Sequence, residues 1–158
     1  MYLPPKYSDT VALQKLRKYC AYQERCHQEV KMKILSWNFP YRIADQLVVR
    51  LIEEDFLNEE RFVKAFAGGK FRQKGWGKLK IVNALKQKGI SPYLVNSSLK
   101  EIGGDDYQAK LQLLLKKKMP TLKKEKEWIM KQKLARFALS KGYESEMVWA
   151  VINSMIND

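Results

Sequence analysis

An all-α fold made of three tandem three-helix units is predicted by three features of the sequence. Apolar residues recur at helical spacing along the chain, no run of alternating β-branched residues appears, and one pattern of positions returns after 51 and then 53 residues. The pattern starts at Ile34, Leu85 and Ala138. Five residues later come Phe39, Ile90 and Tyr143, each preceded by a residue suited to positive φ: Asn38, Gly89 and Gly142. Beyond these stand Ile43, Leu94 and Met147, and then Leu51, Ile102 and Met155. A unit of this length stacks on its neighbours because it cannot bury its own apolar face alone. The units expected are residues 1–57, which include an N-terminal arm, 58–104 and 105–158.

The elements follow in order. Pro4-Pro5 prevents helix before Ser8 or Asp9, either of which can cap a helix from Thr10 to Gln23 with Val11, Ala12, Leu16, Tyr19 and Tyr22 inward. A second helix takes Gln28 to Trp37 and is closed by Asn38-Phe39-Pro40. A third runs from Tyr41 to Glu54. Asn58 is a good cap for the fourth, with Glu59 and Glu60 where the helix dipole favours acid. Gly68-Gly69 falls inside that helix, at about 1 kcal/mol per glycine relative to alanine. Gly75 and Gly77 flank Trp76 and break the pattern, and Ile81, Val82 and Leu85 then mark a fifth helix ending at Gly89. Ser91-Pro92 opens a sixth, ended by Gly103-Gly104, a pair that suggests a hinge between the second and third units. Asp105 is read as the cap of a seventh helix to about Lys118, Thr121 as the start of a long eighth to Lys141, and Ser145 as the start of the last, to Ile156. Trp37, Trp128 and Trp149 lie on or beside apolar stripes and are assigned to the core; Trp76, between two glycines, could stack on a base but is read first as a packing anchor.

Charge is distributed unevenly. The net charge of +13 divides into +2, +7 and +4 over residues 1–57, 58–104 and 105–158. From Arg61 to Lys100 there are ten Lys or Arg and not one Asp or Glu. A solvated helical face normally mixes signs, because like charges left uncompensated repel. A polyanionic partner accounts for this one, and nucleic acid is the commonest. The candidate contacts are Lys70, Arg72, Lys74, Lys78, Lys80, Lys86 and Lys88. Mostly lysine, they suit phosphate contact that ignores base sequence.

Other chemistry finds little support. The only histidine, His27, adjoins Cys26, and neighbours on one helix point about 100° apart, so they cannot serve as base and nucleophile without further partners. Cys20 and Cys26 are too few for a structural zinc site and are read as reduced, buried thiols. There is no phosphate loop and no dinucleotide turn. The expectation is a protein that is not an enzyme and has neither cofactor nor metal. No apolar run is long enough to span a bilayer and the N-terminus lacks the apolar stretch of a signal peptide, so a cytoplasmic chain without a membrane partner is expected.

Arg61-Phe62 and Ala65-Phe66 after Glu54-Asp55-Phe56-Leu57-Asn58, then Gly75-Trp76-Gly77, then Leu85-Lys86-Gln87-Lys88-Gly89-Ile90, together resemble the RecX family of RecA regulators. The threefold ending at Phe39, Ile90 and Tyr143 is similar to that family too, and the resemblance covers nearly the whole chain. It implies tandem three-helix repeats in an elongated, curved arrangement. It also implies a non-catalytic modulator, expected to be monomeric, that binds the RecA filament on single-stranded DNA and limits filament growth, ATPase, strand exchange and co-protease activity. The alternative is a helix-turn-helix-like protein acting directly on duplex DNA without RecA, with Lys80, Asn83 and Gln87 toward base edges.

Overall fold

The computed structural model describes residues 2–157. Among them are nine α-helices and no strand: α1 (Asp9–Tyr22), α2 (His27–Leu35), α3 (Tyr41–Glu53), α4 (Glu59–Lys74), α5 (Lys78–Gln87), α6 (Pro92–Leu99), α7 (Gly104–Lys118), α8 (Glu127–Ser140) and α9 (Ser145–Asn157). A single 3-10 turn, Met119–Leu122, lies between α7 and α8. Local chemistry sets the helix starts. Ser8 Oγ accepts the Val11 N–H at 3.2 Å, Asn58 Oδ1 that of Arg61 at 3.0 Å, and Ser91 Oγ that of Leu94 at 3.4 Å. It also sets the ends. Asn38, Gly89 and Gly142 adopt φ of 67°, 76° and 100°, and the Ile90 and Tyr143 N–H groups reach back five residues to the Leu85 and Ala138 carbonyls at 3.2 and 3.3 Å. The left-handed turn aims Phe39, Ile90 and Tyr143 into the interior, and all three are buried.

The helices associate in threes: α1 and α2 with α3, α4 and α5 with α6, and α7 with α8 and α9. The apolar cores number two. One belongs to α1–α3 and joins Ala12, Leu16, Ile34, Leu47 and Leu51. The other is continuous from Phe62 in α4 to Ile152 in α9, so the second and third groups share one interior.

That sharing removes the hinge expected at Gly103-Gly104. Gly103 does precede α7, with extended backbone, but the two groups are tied together elsewhere. The Gly77 N–H donates to the Lys141 carbonyl at 2.7 Å and the Leu79 N–H to the Gly142 carbonyl at 3.0 Å. The backbones approach so closely that a Cβ on Gly77 would lie 2.3 Å from Gly142 atoms, and one on Gly142 would lie 2.4 Å from the Lys80 Cβ. Tyr143 donates to the Gly75 carbonyl at 3.1 Å. Its ring stacks on Tyr107 with centroids 5.0 Å apart. The Tyr107 hydroxyl accepts the Lys78 N–H at 2.9 Å and donates to Glu144 Oε1 at 2.7 Å. Burial raises the pKa of both phenols, so they remain protonated donors.

Four further expectations are corrected. Thr121 does not begin a helix: its hydroxyl donates to the Lys118 carbonyl at 2.7 Å and so closes the end of α7, while Leu122 is buried in the turn. The eighth helix accordingly begins only at Glu127. In α1 the inward face is Ala12, Leu13, Leu16 and Cys20, whereas Val11 and Tyr22 are exposed. The seventh helix begins at Gly104, which leaves Asp105 in its first turn, not at the cap. Trp37 is buried and Trp149 packs on the core, but Trp128 is 67% exposed.

Two glycine substitutions separate packing from propensity. Gly77→Ala is expected to cost about 3 kcal/mol, the upper end for an overpacked site, since backbone on both sides cannot yield. Gly69→Ala, mid-helix in α4 with nothing within 4 Å of the added carbon, is expected to gain about 1 kcal/mol. Urea unfolding midpoints measure both; an unchanged midpoint for Gly77→Ala would contradict the close crossing.

Candidate nucleic-acid interface

The basic residues of the middle group lie on the end of α4, the Gly75-Trp76-Gly77 connection and α5. Gly75, at φ 69°, ends α4, and the Trp76 N–H then bonds the Lys70 carbonyl at 3.0 Å, which turns the chain back on the helix. Trp76 is thereby set edge-on to Phe66, with centroids 6.2 Å apart. Lys70 and Lys80 place their ammonium groups 4.9 and 4.7 Å from the Trp76 ring centroid, and Lys70 and Lys88 lie 5.5 and 5.8 Å from that of Phe66. Each such contact contributes about 0.5–1 kcal/mol at an exposed position. The aromatic pair therefore gathers three ammonium groups that would otherwise repel one another. Trp76 packs in this arrangement, half-buried beneath lysine.

Not all seven candidates share that surface. Lys70, Lys74 and Lys88 line a groove of about 400 Å³ with Phe62, Phe66 and Gln73, and Glu24 and Glu29 form its other wall. Lys78 lies over Tyr107 at 4.6 Å, beside the junction with the third group. Lys86 is exposed. Arg72 is on a different side: its guanidinium folds back over Gly68, where an added Cβ would meet it at 2.7 Å, and it lines a separate hollow with Glu101 and Asp106. Lys88 is also an ion-pair partner of Glu29, at 3.5 Å. The other six candidates form no ion pair among the described residues.

Two more cations reach this region from outside the basic stretch. Lys110 Nζ donates to the Arg72 carbonyl at 3.0 Å and Lys141 Nζ to the Lys74 carbonyl at 3.4 Å. They satisfy free carbonyls at the end of α4, where the helix dipole favours positive charge. Sequence distance hid them, since each is more than thirty residues from its acceptor.

The Cys26-His27 pair is split between two carboxylates. Cys26 Sγ donates to Glu29 Oε1 at 3.2 Å, whereas the His27 N–H donates to Glu59 Oε1 at 3.0 Å, with Nδ1 3.3 Å from the same oxygen. No group of three or more His, Cys, Asp and Glu side chains is gathered among the described residues. No described helix is long and apolar enough to cross a membrane.

Two family models match consecutive segments: the second three-helix domain of RecX over residues 58–99 and the third over residues 105–152. Curated relatives called regulatory protein RecX are 28% identical to the chain in Finegoldia magna, over 82% of the chain, and 28% identical in Clostridium tetani, over 88%. In both cases the match takes in 64% of the relative, so the chain spans less than two thirds of their length. The crystal structure of RecX from Lactobacillus salivarius superposes with a TM-score of 0.82 at 18% identity, covering 95% of this chain and 97% of that one. A second RecX crystal structure gives 0.81, again at 18% identity, over 95% of this chain and 71% of that one.

Burial pushes both thiols, Cys20 and Cys26, up to about 11 from an ordinary value near 9. Each folded pKa is raised, so the stability they contribute is complete below pH 9 and is lost as pH rises through 9 toward 11. The expected outcome is that Ellman's reagent at pH 8 modifies neither thiol until urea unfolds the chain, and that a Cys20→Ala/Cys26→Ala variant loses less stability than the native chain between pH 8 and pH 10.5. Prompt modification in the folded state would contradict the burial.

Proposed function

The chain belongs to the RecX family, and on that premise we propose that it is a non-catalytic regulator of the RecA recombinase, acting on the filament that RecA forms on single-stranded DNA. The observation that carries this reading is the set of middle-unit cations with no acidic partner among the described residues, three of which, Lys70, Lys78 and Lys80, are held over Phe66, Trp76 or Tyr107. In a protein that met only water, Lys70, Lys74, Lys78, Lys80 and Lys86 would repel with nothing to offset it. Against a phosphate backbone the same charges release condensed counterions. Lys88 contributes less, because Glu29 already meets it; Arg72 contributes least, turned as it is toward Gly68 and the hollow holding Glu101 and Asp106.

In this reading residues 1–57, 58–104 and 105–158 act in series, as a cytoplasmic monomer, with the middle unit on the DNA and the flanking units on neighbouring RecA protomers. Linking modest contacts makes the second binding step intramolecular, so loss of either contact removes far more inhibition than its own affinity suggests. The shared core of α4–α9 favours this over independent beads, because it fixes the spacing between the middle and third units. It also means that a chain cut after Ile102 would expose half of a core, so charge substitutions in the full chain dissect the mechanism better than truncation. Lys80, the first of the base-reading residues in the duplex alternative, is held over Trp76, an arrangement that suits phosphate better than base edges.

The test uses Lys78→Gln/Lys80→Gln in the full chain. Two lost phosphate contacts should reduce the salt slope of binding to oligo(dT) by about 1.4 on single strands, and relieve the inhibition of ATP turnover by preformed RecA filaments. Native protein that binds duplex DNA strongly while leaving RecA turnover unchanged would favour the helix-turn-helix-like alternative; an unchanged slope in the variant would remove this face from the interface.

A further inference from the structure

We propose a second single-strand contact on the third helical group, in which Trp128 is a stacking platform for a base and the lysines of the α7–α8 turn hold the flanking phosphates. The proposal rests on the nucleic-acid reading above only for the class of partner. Its residues are different, and so is its location.

Between Lys116 and Lys126 there are six lysines and one acid, Glu125. That acid is engaged by Lys133, and the next one, Glu127, by Lys131. None of the six lysines has an acidic partner among the described residues. Helix dipoles explain half of them: Lys116, Lys117 and Lys118 form the last turn of α7, where positive charge is favoured. Lys123, Lys124 and Lys126 have no such account. Lys123 follows the 3-10 turn and Lys124 lies in the connection, while Lys126 is the N-cap of α8, at the end of a helix where cations are disfavoured. Nor are they on a loose loop. Leu122 is buried beneath the turn, the Thr121 hydroxyl bonds the Lys118 carbonyl at 2.7 Å, and the Glu125 N–H bonds the Leu122 carbonyl at 3.0 Å. The fold thus presents three exposed cations within four residues, none with an acidic partner among the described residues.

Trp128 follows directly. It is 67% exposed, and no cation or aromatic ring of the described residues lies over it. Trp76 differs in both respects, being half-buried and covered by Lys70 and Lys80. Of the two, Trp128 has the ring face free for a base. An unpaired base brings a π-face to an exposed indole and phosphates to the adjacent lysines, whereas an acidic peptide would supply charge without a flat partner for the ring. Duplex DNA keeps its bases stacked internally, so the contact selects single strands.

The experiment measures affinity of the full chain for a labelled oligo(dT) and for the corresponding duplex, across a salt series. Trp128→Ala is expected to weaken oligo(dT) binding roughly 5- to 150-fold, the range for loss of one base–aromatic stack, to leave duplex binding unchanged, and to be largely rescued in Trp128→Phe. Lys123→Gln/Lys124→Gln/Lys126→Gln is expected to lower the salt slope on oligo(dT) by about 2. Single-strand affinity unchanged in Trp128→Ala but reduced in Lys78→Gln/Lys80→Gln overturns this site and leaves the middle-unit interface standing. The converse overturns the middle-unit interface and leaves this one. Equal weakening on single strand and duplex overturns the stacking role. Binding of poly-glutamate that depends on Trp128, with oligo(dT) binding indifferent to it, reassigns the surface to an acidic protein and overturns the proposal.

Discussion

Two glycines from distant repeats, Gly77 and Gly142, cross with their backbones in hydrogen-bond contact, and the arrangement of α4–α9 depends on that crossing. Neither position has room for a Cβ. Because the main chains meet, Tyr143 can reach the Gly75 carbonyl and Tyr107 can cap the first N–H of α5, for which Gly77 supplies no side chain. Because Tyr107 is held there, Lys78 has an aromatic face to lie on. The position of Lys78, one of the candidate lysines, therefore follows from an approach between residues 65 apart in sequence.

The two junctions in the chain are built from different materials. Between the second and third groups the contact is backbone on backbone, ring on ring, with a continuous apolar interior. Between the first and second it is largely ionic: Arg61 meets Glu24 at 3.0 Å and Asp55 at 2.9 Å and Lys88 meets Glu29, with the His27 N–H bonded to Glu59 beside them. Cys26, from the first group, is the one buried residue that extends the larger core across this boundary. Ion pairs with partly exposed side chains are screened by salt and individually weak, whereas close-packed interiors are neither. Any adjustment of shape between the groups is therefore expected where the ion pairs are, well away from Gly103-Gly104.

Much of this was legible in the sequence, and for identifiable reasons. Helix ends governed by local chemistry, such as those at Ser8, Asn58, Ser91, Gly75 and Gly89, were readable because cap and left-handed residues act within a few positions. The repeat was readable because three left-handed residues precede three buried ones at nearly equal steps. Thr121 misled because a hydroxyl that can cap a following helix can equally donate to a preceding carbonyl, and only the buried Leu122 decides between them. Trp128 misled because a stripe drawn by periodicity assigns a face without showing what covers it. The glycine crossing, Lys110 and Lys141 were beyond reach: each is a tertiary contact with no signature in local spacing. The basic stretch was visible as composition, but its division between the Trp76 surface and the Gly68 side, where Arg72 lies, was not.

Native-state hydrogen exchange at the amides of Gly77 and Leu79 tests the central claim most directly, since those two N–H groups donate across the crossing to Lys141 and Gly142. If the second and third groups form one cooperative body, both amides exchange only through global unfolding, with protection equal to that of buried α4 and α8 amides. Exchange of both through a local opening, while α4 and α8 remain protected, would mean that the two groups separate without unfolding and that the crossing does not fix their geometry.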